Sequence, residues 1–347
     1  MSQTITQKEI ARILNVSRAT VSLALRDSKK IKKETRDRIK QLAESLNYRP
    51  NVSARTLIFK KTFSVGLVLP SFTEPFYAEL ANQIYFFLHK KNYAGLFFLM
   101  GETNGQCEAI DFLLNRGVDG IIFVSEIGEE GILKAKKENI NTVFYNKPLI
   151  SDNYVSGDIY KSSCKVTEHL IRCGHKKIGF LGLKDVKESR FAGYTDTLLK
   201  HSCIYDDRWA IPFISDEQYE NFFQQGYGCM KKILSLKRTS RPTAILARND
   251  VFAIGAMRAI NESGLRVPED IAVAGFDNIK DGTFSNPPLT TIWEPRERVA
   301  KELVRVILSG IERGDNSPFE SVIVQPQLVI RESCGFHCRI KKNKNTM

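Results

Sequence analysis

Over the first fifty residues apolar side chains recur at helical spacing; beyond residue 62 they gather instead into short continuous runs. Ile10, Ala11, Ile13 and Leu14 form one stripe, Val21, Ala24 and Leu25 a second, and Ile39, Leu42, Ala43 and Leu46 a third. Three short amphipathic helices are expected there. Thr6-Gln-Lys-Glu9 fits a capping box for the first, with a hydroxyl at the N-cap and a carboxylate three residues on. Asn15 tolerates a left-handed turn, and Ser17 can cap the second helix. Two such helices joined by a tight turn make a helix-turn-helix, whose second helix enters the major groove of DNA. Farther along, SVGLVLP, AGLFFLM, GIIFVS, NTVFYN, KIGFLGL, TAILAR and IAVAGFD alternate with amphipathic helical stretches. That alternation predicts buried parallel strands in doubly wound sheets. The expected architecture is an all-α head on an α/β body.

Charge sharpens the division. Residues 1–61 carry 15 Lys/Arg against 5 Asp/Glu, so +10 of the formal +12 sits in the first sixth of the chain. Residues 331–347 add +4, which leaves 62–330 at about −2. A cationic head on a near-neutral body suits a phosphate backbone, because each neutralised phosphate releases condensed counterions. At 347 residues the chain is long enough for a small domain plus one large or two medium α/β units. No stretch approaches the roughly 20 apolar residues of a membrane span, and MSQTITQKEI lacks the apolar core of a secretory signal. A cytoplasmic protein is expected, without membrane contact. Cysteines at 107, 164, 173, 203, 229, 334 and 338 form no disulfide framework. Cys334, His337 and Cys338 invite a metal reading, but three ligands within five residues lack a second pair elsewhere. The expectation is a disordered basic tail over 334–347, with no metal and no cofactor.

On the second helix Arg18, Ala19, Ser22 and Leu23 are left facing outward. Arg18 can take a guanine edge by a bidentate contact, and Ala19 or Leu23 can touch a thymine methyl. Thr20 and Ser22 suit phosphate contacts, which position without specifying. The third helix turns Lys32, Lys33, Arg36, Arg38 and Lys40 outward, a face that is either solvated or laid on DNA. After it, Tyr48-Arg-Pro-Asn51 and Val52-Ser-Ala-Arg-Thr-Leu57 suggest a helix too short to form alone.

These segments carry a resemblance. VSRATVSLALRDS, ETRDRIKQLAESLNYRPN and SARTL are similar, almost position for position, to the head and hinge of the LacI/GalR family of bacterial transcription regulators. The likeness continues through VGLVLPSFTEPFYAEL, RGVDGII, HLIRCGHKKIGFLG, SRFAGY, RPTAILARNDVFAIGAMRAINESGLRVPEDIAVAGFDN, NPPLTTI and VIRES, in the family's order, over about residues 4–333. It implies a helix-turn-helix domain over 1–49, a hinge over 50–61 and a periplasmic-binding-protein-like body over 62–333 with two doubly wound parallel-sheet subdomains. The first would hold 62–161 and 291–321, the second 162–290 and 322–333, with the chain recrossing near 291 and 322. It also implies that Thr6, Ser17, Arg18, Ala19, Thr20, Ser22, Leu23, Tyr48, Asn51, Ala54, Arg55 and Leu57 contact DNA. Leu57 would be a wedge between base steps in the minor groove, where unstacking costs a few kcal/mol that the bend offsets. The sequence departs from the family at Lys32, where Ser or Thr usually caps the third helix; losing such a cap costs about 1 kcal/mol.

In doubly wound sheets ligands sit beyond the carboxyl ends of the strands, here between the two halves. Strand-end polar residues are therefore the effector candidates. Asn146 follows NTVFY, Asn249 follows TAILAR, Asp277 follows IAVAGF and Arg190 lies in SRFAGY. The resemblance places Arg190, Asn249 and Asp277 where effector hydroxyls are bound in sugar-responsive relatives, and Phe76 where an aromatic ring packs on the ligand. Ordinary readings stand beside these: Asn249-Asp250 is common turn chemistry, Asp277 is a loop cap, and Arg190 is a surface ion pair. Asn146 stands where sugar-responsive relatives often carry Asp, and Glu294 where they often carry Gln. A sugar or sugar derivative is the expected effector, although Arg190 can also receive a carboxylate. The implied function is that of a homodimer on a palindromic operator, a repressor rather than an activator, controlled by a small molecule. A solute-binding protein would share the body but lack the head. An enzyme would need a phosphate loop, a Gly-x-Ser-x-Gly elbow or a His-Glu-x-x-His pair, none of which the chain contains. Gly226-Tyr-Gly228 is only a fragment of a dinucleotide fingerprint.

Overall fold

The computed structural model describes residues 5–25, 27–46, 48, 61–100, 105–125, 127–213, 221–313 and 319–335. The hinge candidates Asn51, Ala54, Arg55 and Leu57, and the tail residues His337 and Cys338, lie outside the described residues. The chain divides into two compact units between Phe63 and Ser64.

The first unit contains α1 (Gln7–Ile13), α2 (Arg18–Leu25) and α3 (Lys33–Ser45). The capping box forms in both directions: Glu9 N donates to Thr6 Oγ1 at 3.4 Å and Thr6 N donates to Glu9 Oε2 at 2.7 Å. Asn15 turns the chain at φ +50°, and Thr20 N then donates to Ser17 Oγ at 3.0 Å to start α2. Ile10, Ala11, Val21, Ala24, Ile39 and Ala43 are the buried centre, flanked by Leu14, Val16, Leu25, Leu42 and Leu46. Full burial of one such Ile contributes roughly 2 kcal/mol. Ile13 is not part of it; 54 % of its surface is exposed. At about 100° per residue it projects roughly 100° away from the direction shared by Ile10, Ala11 and Leu14. Lys32 precedes α3 without a side-chain cap, as its residue type requires. Two of the five basic residues read as an outer face are engaged within the head: Lys40 Nζ lies 2.6 Å and Arg36 Nε 3.6 Å from the Asp27 carboxylate.

The second unit holds two six-stranded sheets. The first is built from β1 (Ser64–Leu69), β2 (Ala94–Leu99), β3 (Gly120–Phe123), β4 (Asn141–Tyr145) and β5 (Tyr154–Gly157). The second is built from β6 (Ile178–Leu181), β7 (Ala210–Ile211), β8 (Ala244–Ala247), β9 (Ala272–Phe276) and β10 (Thr290–Trp293). Two late strands complete them: β11 (Ser321–Val324) joins β5, and β12 (Gln327–Val329) joins β10. The strand orders, β2-β1-β3-β4-β5-β11 and β7-β6-β8-β9-β10-β12, repeat one doubly wound pattern. All pairs are parallel except β10 with β12. The connecting helices are α4 (Pro75–Lys90), α5 (Gln106–Leu114), α6 (Glu129–Lys137), α7 (Ile159–Arg172), α8 (Ser189–Lys200), α9 (Phe222–Leu234), α10 (Asp250–Glu262), α11 (Lys280–Phe284) and α12 (Arg296–Arg313).

Helices cover both faces of each sheet, which is why the strands read as continuous apolar runs. In β1, Val65, Leu67 and Leu69 pack towards α4 and α12, while Val68 packs towards α5 and α6. Strand β2 differs from its expectation as a buried strand. It lies at the sheet edge, with Phe97 and Leu99 exposed. The recrossings also differ slightly in position. Thr290–Trp293 stays with the second sheet and Ser321–Val324 with the first, so the chain crosses at about residues 294–295 and 325–326. The expectation of a disordered tail from residue 334 fails at its first residue: Cys334 is fully buried in the core of the second sheet. No helix among the described residues is long and apolar enough to cross a membrane.

Candidate functional site

Arg18 and Ala19 stand exposed in the first turn of α2, where a recognition helix meets base edges. Thr20, Ser22 and Leu23 are half-buried. Ser17 and Thr20 share a hydroxyl contact of 2.8 Å while Ser17 caps the helix, and Thr6 caps α1. Those hydroxyls therefore set the helix starts as well as facing outward. Tyr48 is drawn against the head's core, and its N–H donates to Ala43 O at 2.8 Å.

In the second unit, strand ends of the first sheet and the start of α8 on the second lobe border a cavity of about 780 Å3. Ser125, Tyr145, Asn146 and Ser156 face it from the first lobe, and Glu188 and Arg190 from the second. Asn146, at φ +74°, accepts from Ser156 Oγ at 3.2 Å. Arg190 is pulled two ways. Its Nη1 donates to Glu188 Oε1 at 3.3 Å, and its guanidinium lies 5.2 Å from the Phe276 ring centre. Burial works against its charge, but Glu188 and Asp277 outweigh that and hold it protonated.

Glu294 is buried behind Tyr145, which borders the cavity. Tyr145 donates its hydroxyl proton to Glu294 Oε2 at 2.5 Å. Gly157 leaves the space for that carboxylate, since a Cβ there would lie 2.3 Å from Glu294 Oε1. Burial raises the Glu294 carboxyl above the ordinary range, opposed by the Tyr145 hydrogen bond. Asp277, at φ +102°, is raised by burial too, against the pull of Arg190, Arg296 and Arg248. Arg296 ties the lobes together. It starts α12, which packs on the first sheet, pairs with Glu79 of α4 at 2.9 Å, and donates to the Asp277 and Asn278 carbonyl oxygens of the second.

Of the five effector candidates, Asn146 and Arg190 border the cavity and Asp277 sits among the arginines beside it. Asn249 and Phe76 do not border it. Asn249 Oδ1 accepts from Phe252 N at 3.0 Å, so this side chain caps α10, the ordinary reading of an Asn-Asp turn. Phe76 is buried in the first lobe's core against Tyr77 and Tyr145. The neighbouring Asp250 is wholly buried, accepting from Thr291 Oγ1 at 2.5 Å and Ile279 N at 2.9 Å, which anchors the Asp277 loop. Sequence reasoning missed Tyr145, Glu188, Arg248 and Arg296. Tyr145 and Arg248 carried a usable signal, since both sit where a strand ends.

Among the described residues, Ser125 Oγ, Thr167 Oγ1, Arg190 Nε, Glu294 Oε1 and Arg296 Nε are buried without a hydrogen-bond partner. Leaving such an atom unsatisfied costs about 1–3 kcal/mol. Of these residues Ser125 and Arg190 border the cavity, which suits a site built to receive polar groups.

The chain is similar to known proteins over most of its length. Residues 6–51 match a profile described as "Bacterial regulatory proteins, lacI family", and residues 167–334 one described as "Periplasmic binding protein-like domain". The HTH-type transcriptional repressor PurR of Histophilus somni is 31 % identical over 345 residues, covering 94 % of this chain and 98 % of that protein. The PurR repressor of Pasteurella multocida is 30 % identical over 346 residues, with the same coverage. The lac repressor dimer, solved bound to operator and the anti-inducer ONPF, superposes with a TM-score of 0.80 at 24 % identity, covering 96 % of this chain and 99 % of that one.

Proposed function

Because the chain belongs to the LacI family of bacterial regulatory proteins, and is accordingly a DNA-binding transcriptional repressor and not an enzyme, we propose that it acts as a cytoplasmic homodimer on a palindromic operator, under the control of a small molecule held between its lobes. The observation that carries the effector site is a cavity of about 780 Å3 lined by polar groups of both lobes, two of which, Ser125 Oγ and Arg190 Nε, are buried without a partner. Asn146, Ser156, Tyr145 and Arg190 offer donors and acceptors on opposite walls, which suits a hydroxyl-rich ligand. Glu188 already balances the Arg190 charge. That favours a neutral sugar or sugar derivative over a carboxylate.

At the DNA, Arg18, Ala19 and Leu23 read base edges, and Thr6, Ser17, Thr20 and Ser22 position the head on phosphates. Asn51, Ala54, Arg55 and Leu57 form the hinge contacts, with Leu57 as the wedge. Dimerisation is supported by the apolar surface left on the first lobe: Tyr85 and Phe86 on α4, and Phe97 and Leu99 on the edge strand β2, are all exposed. A two-fold dimer matches a palindrome. Effector binding shifts the lobes relative to each other, and by linkage operator and effector alter one another's affinity by the same factor.

The test has two steps. A thermal-shift screen of sugars, sugar acids and nucleobases on the full-length protein identifies the ligand, since a specific binder raises stability. Band-shift titrations with promoter fragments, with and without that ligand, then follow. A sugar that raises the melting temperature and moves the operator midpoint by severalfold is expected. Failure to retain any promoter fragment at moderate ionic strength, in either state, sinks the proposal.

A further inference from the structure

The sequence separates His169 and Cys173 from Cys334 by more than 160 residues, and the fold brings them together. His169 and Cys173 lie four apart, on α7 and at its C-cap, so they share one helix face. Cys334 arrives from the segment after β12. His169 Nε2 lies 3.2 Å from Cys334 Sγ and 3.6 Å from Cys173 Sγ, and one ligand atom from each residue lies within 4.8 Å of the others. His169 and Cys173 are each 5 % exposed and Cys334 not at all.

We propose that His169, Cys173 and Cys334 bind a thiophilic divalent cation, with Zn2+ as the metal of choice. For zinc with Zn–S of about 2.3 Å and Zn–N of about 2.0–2.1 Å, tetrahedral geometry places N and S about 3.5 Å apart and two sulfurs about 3.8 Å apart. The two N–S separations need shifts of only a few tenths of an ångström to meet this, and the sulfurs, within 4.8 Å of each other, need to close by at most about 1 Å. Both sulfurs converge on the same imidazole nitrogen, and Cys334 Sγ also reaches Arg331 O at 3.5 Å. An ion accommodates all three donors at once. Each thiol gives up its proton to the solvent as its sulfur joins the metal. The three donors leave one corner of the tetrahedron to an exogenous ligand.

The cluster is held in advance. Ser333, fully buried, donates from Oγ to Val273 O at 2.6 Å and accepts from Thr290 N at 2.8 Å, while Val273 N donates to Ser333 O at 2.8 Å. Cys334 therefore leaves from a backbone clamped to β9 and the start of β10, and faces a helix face rather than a loop. Such support from rigid elements is what a metal site needs. A bound ion would staple α7 to the C-terminal segment of the second lobe, remote from the polar groups of the effector cavity.

The test uses full-length protein, reduced and stripped of metal with a chelator, then titrated with Zn2+ and separately with Co2+. One equivalent per chain is expected, with a thiolate-to-cobalt charge-transfer band, intense tetrahedral ligand-field bands and a rise in melting temperature with Zn2+. Cys334→Ser, Cys173→Ser and His169→Gln each weaken zinc binding by at least about a hundredfold, beyond what loss of an outer-shell contact does. Cys107→Ser, on the other lobe, leaves it unchanged. Should Cys334→Ser fail to fold, the cobalt spectrum of the parent and of Cys173→Ser decides. A parent spectrum without a thiolate band, zinc uptake indifferent to Cys173→Ser, or a Cys173–Cys334 disulfide formed by protein whose reduced form takes up no metal would overturn the assignment.

Discussion

Glu74 shows how the cleft sets the chemistry of a single side chain. It precedes Pro75 at the start of α4 and makes no cap hydrogen bond there. Burial pushes its carboxyl up to about 7, the nearby Asp277 adds to this, and Arg248 opposes it. Glu74 comes from the first lobe and Asp277 from the second, so the pair records how near the lobes stand. With the folded value raised, the unfolded chain ionises first and the folded chain keeps its proton longer. Stability from this group is therefore complete below about 4.5 and is lost as pH rises towards about 7. Melting curves across that interval should slope downward more steeply for the parent than for Glu74→Gln. Parallel curves would show that Glu74 stays exposed and ordinary. At this scale residue type was legible and partnership was not. Asn146, at a strand end, and Arg190, in SRFAGY, both border the cavity. Asn249 looked equally good, yet its oxygen is committed to the Phe252 N–H, a local geometry that an Asn-Asp pair offers without announcing.

Among the elements, helix starts were the most legible because capping is local. Thr6 with Glu9, and Ser17 with Thr20, formed as their spacing required. The strands lying in apolar runs, β1, β2, β3, β4, β6, β8 and β9, were legible for the same reason, whereas β5, β7, β11 and β12, short and set among polar residues, were not. Gly226 and Gly255 show what helix packing adds. They let α9 and α10 approach so closely that a Cβ on Gly255 would lie 2.0 Å from Phe223 O, and one on Gly226 2.2 Å from Phe252 O. In isolation Gly255→Ala favours a helix by up to about 1 kcal/mol. Here the backbone contact dominates, since overpacking of this kind costs about 1–3 kcal/mol. A fall in melting temperature of several degrees is expected, at about 2–4 °C per kcal/mol for a unit of this size. Gly105→Ala, with nothing within 4 Å of the new methyl, should leave it unchanged. An equal or higher melting temperature for Gly255→Ala would mean that the two helices separate easily.

For the whole molecule, the feature that bears on assembly is exposed apolar surface on the first lobe. Tyr85 is 45 %, Phe86 48 % and Leu99 44 % exposed on the first lobe, where a solitary soluble chain would carry polar groups. If a second copy covers this face, Phe86→Glu places a charge in the interface. Sedimentation should then show monomers at concentrations where the parent is dimeric, and operator binding should weaken by at least tenfold. A variant that remains dimeric and holds DNA as tightly would put the interface elsewhere. Arg296 is the complementary feature within the chain, joining Glu79 of one lobe to the Asp277–Asn278 carbonyls of the other.

The linear order of residues was sufficient for the cationic head, its helix-turn-helix and the doubly wound class of the body, because capping, periodicity and charge density act over a few neighbouring positions. Tertiary structure alone decided which strand-end side chains meet. It put Tyr145 and Glu294 149 positions apart on one hydrogen bond, turned Asn249 into a cap, left β2 at an exposed edge, and buried Cys334 against His169. Those outcomes depend on where the chain recrosses between its sheets. That crossing is set by the packing of α12 on the first lobe, a sum of many distant contacts that no local pattern records.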